Sequence, residues 1–304
     1  MDWYWIVLIV VGSLTIIFLV LSSIMGHYCV KGLVNHQTFT RDVCYKTDID
    51  KGLYTDELIR SWNLTEMVFY GEDNYQLHGQ VVVNDPKKWV IFAHGYTWAR
   101  EGSYKYMKLF QRLGFSLLAY DHRGHGDNKK CPITMGYMEA KDLSHVIDWV
   151  RDHYGQDTII GLHGESMGAV TVLEVGKYKK NISFIIADSP FADMGLLMKA
   201  QIKRVVPFTY VRHFGDLELR GKYNFSFKDV RPYETVKTNH IPTLIIHSEG
   251  DTLIPPFHTK MIKEARDDIE LTYFPKVDHT ESYLNYSEQY EEREIKFLKE
   301  LNII

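Results

Sequence analysis

Gly164-Glu165-Ser166-Met167-Gly168 reads G-x-S-x-G, between an apolar run ending at Leu162 and a helical stretch starting at Met167. A strand, a tight turn and a helix form the setting that a serine nucleophile requires. The turn is so sharp that side chains two residues before and after the serine would collide, so both are glycine. The N-terminus of the following helix adds a partial positive field beside the hydroxyl. A serine hydroxyl is a weak nucleophile. It needs a base to take its proton, and the base needs an acid to orient it. The apolar run 243–247 leads into Ser248-Glu249-Gly250-Asp251, and the run 271–274 leads into Pro275-Lys276-Val277-Asp278-His279. Ser166 is therefore expected as nucleophile, Asp251 as acid and His279 as base. All three sit at the carboxyl ends of strands, where open α/β sheets place their sites. The chemistry would be acyl transfer to water through an acyl-enzyme.

Other readings of these residues are blander. Asp251 could cap the following helix, although Pro255 and Pro256 already open it. Glu249 is a rival acid two residues away, and Asp278 could be a surface carboxylate. His247 lies inside a strand and is expected to be packed; His258 is expected on a helix surface. The order and strand-end placement of Ser166, Asp251 and His279 favour the catalytic reading.

An oxyanion needs two backbone N–H donors. Met167, just after the nucleophile, should supply one. Tyr96, in the His94-Gly95-Tyr96-Thr97-Trp98 loop, should supply the other, with Gly95 permitting the bend. The Asp121-His122-Arg123-Gly124-His125-Gly126 loop is read as structural, with Asp121 and Arg123 tying it to neighbours. No dinucleotide-binding glycine pattern, P-loop or H-E-x-x-H occurs, so neither cofactor nor metal is called for.

Short apolar runs at 89–93, 115–120, 158–162, 182–187, 243–247 and 271–274 alternate with helical stretches near 103–113, 138–153, 167–179, 257–266 and 287–301. Such alternation predicts a mainly parallel sheet with helices on both faces. Period-two segments at 65–70 and 77–83 predict a hairpin around residues 71–74. Residues 191–240 break the rhythm: a helix over about 193–206, then Pro207 and aromatic irregular sequence, read as a small cap over one end of the sheet. Its Phe191, Met194, Leu196, Leu197, Met198, Phe208, Tyr210 and Phe214 either shape an apolar acyl pocket or form the cap's own core.

No charged residue lies between Asp2 and Lys31. Residues 3–25 are apolar on every face and would make a helix about 35 Å long, against a hydrocarbon core of about 30 Å. Trp3, Tyr4, Trp5 and Tyr28 flank the run as interfacial aromatics do. The Met-Asp start, the length and the bulky exit at His27-Tyr28 suit a retained single-pass anchor better than a cleaved signal peptide. Lys31, Arg41 and Lys46 follow the span, which puts the large domain on the cytoplasmic side. The expected division is an anchor at 3–25, a connector at 26–62 and a catalytic domain at 63–304.

The 304 residues carry 35 Lys and Arg against 39 Asp and Glu, a net charge of −4, which offers no basic field for nucleic acid. Three cysteines, Cys29, Cys44 and Cys131, make no disulfide framework and no zinc spacing, although a Cys44–Cys131 bridge is open.

Taken together, HGYTWAR at 94–100, YDHRGHG at 120–126, GESMG at 164–168, GDTLIP at 250–255 and DHTES at 278–282 resemble the α/β-hydrolase superfamily of serine hydrolases. Within it the chain looks like bacterial membrane-anchored esterases and serine aminopeptidase-like enzymes. The resemblance spans about residues 66–301. It implies the α/β-hydrolase fold, Ser166, His279 and Asp251 as the triad, and Tyr96 and Met167 as oxyanion donors. Asn128 departs from the pattern, since many relatives carry serine there. An ester-type substrate, carboxylic or thio-, is the expected target, and membrane tethering leaves a lipid-like acyl substrate open. A peptidase or amidase shares the triad, and a non-catalytic anchored binding protein is the remote alternative.

Overall fold

The computed structural model describes residues 2–205 and 208–304. Among these, β1 (Thr65–Tyr70), β2 (Gln76–Val82), β3 (Asp85–Ala93), β4 (Phe115–Tyr120), β5 (Ile159–Glu165), β6 (Phe184–Asp188), β7 (Thr243–Ser248) and β8 (Glu270–Phe274) form one sheet. Their order is β1-β2-β4-β3-β5-β6-β7-β8. β2 pairs antiparallel with both neighbours, and every pairing from β4 to β8 is parallel. The hairpin and the parallel sheet thus form as the residue pattern predicts.

The apolar runs are continuous because the central strands are covered twice. Helices α5 (Tyr137–Tyr154) and α6 (Met167–Glu174) bury Leu143, Val146, Ile147, Val172 and Leu173 with Ile91, Leu118 and Leu162 on one face. Helices α4 (Tyr104–Arg112) and α11 (Ser282–Glu300) bury Met107, Phe110, Tyr290 and Phe297 with Phe92, Leu117 and Ile246 on the other. Full burial of each such side chain contributes about 1.5–3 kcal/mol before chain entropy is set against it.

Several boundaries differ from expectation. β3 starts four residues early, at Asp85, because the strand continues through an irregularity between Asp85 and Trp89. β5 runs on to Glu165, held by the β6 ladder up to Asp188. α11 begins at Ser282 rather than 287, and a non-helical Tyr286 interrupts the period that would have marked its first turn. α10 (Phe257–Ala265) lies where expected.

The connector is not bare loop. Helix α1 (Trp3–Val34) extends well past residue 25, and α2 (Arg41–Asp50) and α3 (Asp56–Ser61) follow it. α2 buries only Cys44 and Asp48, an i, i+4 pair too sparse to read as a periodic stripe. α3 is opened by Thr55, whose hydroxyl accepts the Leu58 N–H at 3.2 Å. Arg41 fastens the start of α2 to the body through Glu101 at 2.6 Å and Asp127 at 2.8 Å.

In the 191–240 insertion, α7 (Met194–Val205) matches the expected helix as far as it is described; Pro207 lies outside the described residues. A second helix, α8 (Val211–Tyr223), occupies the stretch read as irregular, followed by the single-turn α9 (Pro232–Thr235). α8 buries Val211, Gly215 and Leu219, and the glycine in that stripe hides its period. Gly215 meets Gly26 of α1 so closely that a Cβ on Gly26 would stand 2.8 Å from the Gly215 nitrogen. His27 and Glu218 join the two helices at 2.9 Å, and Val30 and Val34 enter the apolar core of the insertion. All three cysteines are free thiols, so the Cys44–Cys131 bridge is absent.

Candidate active site

Ser166 stands between β5 and α6 with φ 55° and ψ −114°, the strained turn foreseen from its flanking glycines. Such a conformation costs about 1–3 kcal/mol and must be held by its surroundings. Ser166 N–H donates to the Asp188 carbonyl at 2.8 Å. A Cβ on Gly164 would overlap the Gly168 carbonyl, and one on Gly168 would overlap the Ala93 carbonyl. Gly168→Ala is therefore expected to abolish soluble expression, or to lower the melting temperature by more than 10 °C where protein is recovered, as read by thermal denaturation.

The structure brings the three separated residues together. Ser166 Oγ lies 2.8 Å from His279 Nε2, and His279 Nδ1 lies 2.7 Å from Asp251 Oδ2. Asp251 is buried, and its Oδ1 accepts the Ile254 N–H at 2.7 Å, so it both caps the following loop and faces the histidine. His247, packed as expected, approaches the same carboxylate at 3.4 Å. Burial holds the His247 imidazole below its ordinary pKa, hence neutral, so it leaves the Asp251 charge for His279. Glu249 is exposed. Asp278 accepts N–H groups from Thr252 at 3.0 Å and His279 at 2.8 Å, while the imidazole Nδ1 is bonded to Asp251.

Gly95 closes on the nucleophile: a Cβ there would stand 3.7 Å from the Ser166 Cβ. Among the described residues, no turn or loop hydrogen bond uses the backbone N–H of Tyr96 or Met167, which leaves both for a ligand oxygen. His94 braces this loop. Its Nδ1 bonds the Gly95 carbonyl at 2.8 Å, and its Nε2 accepts the His122 N–H at 2.9 Å. Burial keeps His94 neutral, well below the ordinary histidine pKa, so one ring nitrogen donates and the other accepts. His125 Nε2 accepts the Thr97 N–H at 3.3 Å.

The comparisons with known proteins agree with this architecture. Residues 84–234 match the family model described as serine aminopeptidase, S33. The uncharacterized protein YqkD of Bacillus subtilis (strain 168) is 28% identical over 302 residues, covering 97% of this chain and 98% of YqkD. The lysophosphatidylserine lipase ABHD12 of Rattus norvegicus is 25% identical over 215 residues, covering 67% of this chain and 52% of the lipase. The chain thus matches about half the length of that lipase. The Pyrococcus furiosus esterase Pf2001 superimposes with a TM-score of 0.67 at 23% identity, covering 81% of this chain and 94% of the esterase. The chain belongs to the α/β-hydrolase superfamily.

In this hydrolase the pocket at Ser166 encloses about 220 Å³ and is polar. Asp48, Lys51 and Leu53 line it from the connector, Tyr96 and Trp98 from the loop after β3, and Lys105, Glu165 and Glu281 from the domain. None of the eight apolar residues named in the insertion lines it. Phe191, Met194, Leu197 and Met198 instead pack with Val30, Val34, Met167 and Val170, so they form the core of the insertion.

Glu165, the variable residue before the nucleophile, sits in a buried cluster. It pairs with Lys105 at 2.5 Å and accepts the Tyr106 hydroxyl at 2.6 Å. Burial pushes Asp48 up to about 6, against the pull of the Lys105 charge. The residue pattern gave no sign of this cluster, because Asp48 arrives from a helix that the pattern does not reveal.

His258 is buried, not on a surface as expected. The Ala192 N–H donates to its Nδ1 at 3.3 Å, because the first turn of α10 abuts the start of the insertion. Burial takes its pKa down to about 4. The Asp121–Gly126 loop is tied as read: Asp121 accepts the Arg100 N–H at 2.8 Å, and Arg123 makes two 2.6 Å bonds to Asp142. Asn128 joins it, donating to the Asp121 carbonyl at 2.6 Å and accepting the His78 N–H at 2.8 Å.

Proposed function

We propose that this hydrolase cleaves an ester-type acyl substrate, carboxylic or thio-, with Ser166 as nucleophile, His279 as general base and Asp251 as the orienting acid. The observation that carries the reading is the unbroken relay from Ser166 Oγ through His279 to Asp251, with steps of 2.8 and 2.7 Å. His279 takes the serine proton as Ser166 attacks the carbonyl carbon, and the Asp251 charge stabilises the imidazolium. The Tyr96 and Met167 N–H groups receive the oxyanion. His279 then protonates the leaving alkoxide or thiolate. Water, deprotonated by the same imidazole, cleaves the acyl-enzyme and restores the serine.

Tyr96 has a second role in this reading. Its hydroxyl donates to the Leu33 carbonyl of α1 at 2.6 Å, which fixes the loop that carries its N–H. Tyr96→Phe should lower kcat about threefold to tenfold, as loss of one hydrogen bond implies, with KM for p-nitrophenyl butyrate unchanged.

A second reading, amidase or aminopeptidase, is supported by the Asp48 and Glu281 carboxylates around the pocket, which can hold a substrate ammonium. Turnover of p-nitrophenyl esters of graded chain length, measured against aminoacyl p-nitroanilides, decides between them. Higher kcat/KM on the anilides would reverse the assignment.

We further propose that residues 3–25 anchor the chain in a membrane, that 26–62 connect them to a catalytic unit at 63–304, and that this unit faces the cytoplasm. α1 is long and apolar enough to cross, and the cations Lys31, Arg41 and Lys46 follow the span. Protease protection of the catalytic unit in intact cells, lost on lysis, is the expected result.

A further inference from the structure

We infer that residues 208–217, the start of α8 and the three residues before it, form a second membrane-contact element whose apolar side chains dip into the lipid leaflet beside α1. The inference rests on the proposed anchor.

The uncharged part of α1 runs from Trp3 to Val30. A hydrocarbon core of about 30 Å takes up about 20 helical residues. Set as close to Trp3 as the charges allow, such a core ends near Ser22. Phe18 then lies about 6 Å inside it, at 1.5 Å per residue. Any placement nearer the domain sinks Phe18 deeper.

Phe18 is not alone at that level. Its ring centroid lies 5.1 Å from that of Tyr210, at the start of α8, and Tyr210 lies 5.9 Å from Phe208. α8 then climbs α1 antiparallel, past Ser22 and Gly26 to the His27–Glu218 pair. The insertion therefore grips α1 below the level at which the hydrocarbon ends.

The exposed residues fit that position. Val205, Phe208 and Leu217 are 85%, 56% and 64% exposed, and Leu217 shares a groove with the exposed Ile24 of α1. An apolar surface continuous with a spanning helix is covered at no cost by lipid and at considerable cost by water. Of the charges beside it, Arg204 bonds the Thr252 carbonyl and Arg212 the Gly195 carbonyl. Asp216 is paired with Arg220 and Glu218 with His27. Lys199 and Lys203 are exposed and unpaired among the described residues, with stems long enough to reach lipid phosphates. The occupant is thus a phospholipid leaflet with an anionic component.

The test uses the full chain in phosphatidylcholine–phosphatidylglycerol vesicles, with Cys29→Ser, Cys44→Ala and Cys131→Ser as background. A single environment-sensitive fluorophore is placed through Leu14→Cys, Phe208→Cys or Lys276→Cys. The expected result is quenching by nitroxide-bearing acyl chains at positions 14 and 208, and quenching by aqueous iodide at 276. Iodide quenching at 208 with lipid quenching at 14 would overturn the inference and leave the anchor standing. Iodide quenching at 14 would remove the anchor and the inference together. In a second arm, Phe208→Ser with Leu217→Ser should lose about tenfold in turnover of a vesicle-borne ester while keeping its rate on soluble p-nitrophenyl acetate. Equal losses on both substrates would assign these residues a purely internal role.

Discussion

Ser166→Ala is expected to lower kcat on p-nitrophenyl esters by about 10⁶-fold and to end fluorophosphonate labelling, while the melting temperature stays within a few degrees. The loss is large because, among the described residues, the hydroxyl bonded to His279 Nε2 is that of Ser166, at 2.8 Å. The fold should tolerate the change, since the strained φ of 55° is imposed by the backbone bond from Ser166 N–H to Asp188 and by the two glycines, not by the hydroxyl. A labelled or active alanine variant would refute the nucleophile assignment whatever the substrate is.

Asp251→Asn should cost about 10⁴-fold in kcat with little change in stability. The asparagine carbonyl can keep the 2.7 Å bond from the Ile254 N–H, which turns its NH₂ toward His279 Nδ1. That nitrogen must then accept, so the proton moves to Nε2 and the imidazole can no longer take one from Ser166. The contrast is Asp278→Asn. Asp278 accepts the Thr252 N–H and hydroxyl from the loop after β7 and the His279 N–H of its own loop, and the backbone bonds from Thr252 and His279 hold its carboxyl below the usual range. Its loss should cost less than tenfold. A deeper loss at Asp278 than at Asp251, measured on the same ester, would exchange the two roles.

The residues around Ser166 were legible because sterics leave few sequences for that turn: the glycines at 164 and 168 announce a carbonyl that admits no side chain. The strands were legible because double coverage makes them apolar throughout, and their ends placed Asp251 and His279 correctly on loops. Other features were hidden for identifiable reasons. α2 buries two side chains in three turns, and α8 uses a glycine where a periodic pattern needs bulk. The polar pocket wall depends on Asp48, Lys51 and Leu53, residues brought beside Ser166 by the Arg41 ion pairs to Glu101 and Asp127 and by the bond from Lys108 to the Leu53 carbonyl. The apolar residues of the insertion looked equally suited to a substrate tunnel or a core. What decided between them was α1, whose Val30 and Val34 occupy the space.

Helix α1 is unbroken from Trp3 to Val34, and its last two turns belong to the packed interior above it. Set in a bilayer as proposed, such a helix would be a post without a swivel, holding Ser166 at one height and one facing. Encounter with a membrane-borne ester then becomes a search in two dimensions. Its velocity would follow the mole fraction of that ester within the sheet of lipid, and diluting the vesicles in buffer would leave it unchanged.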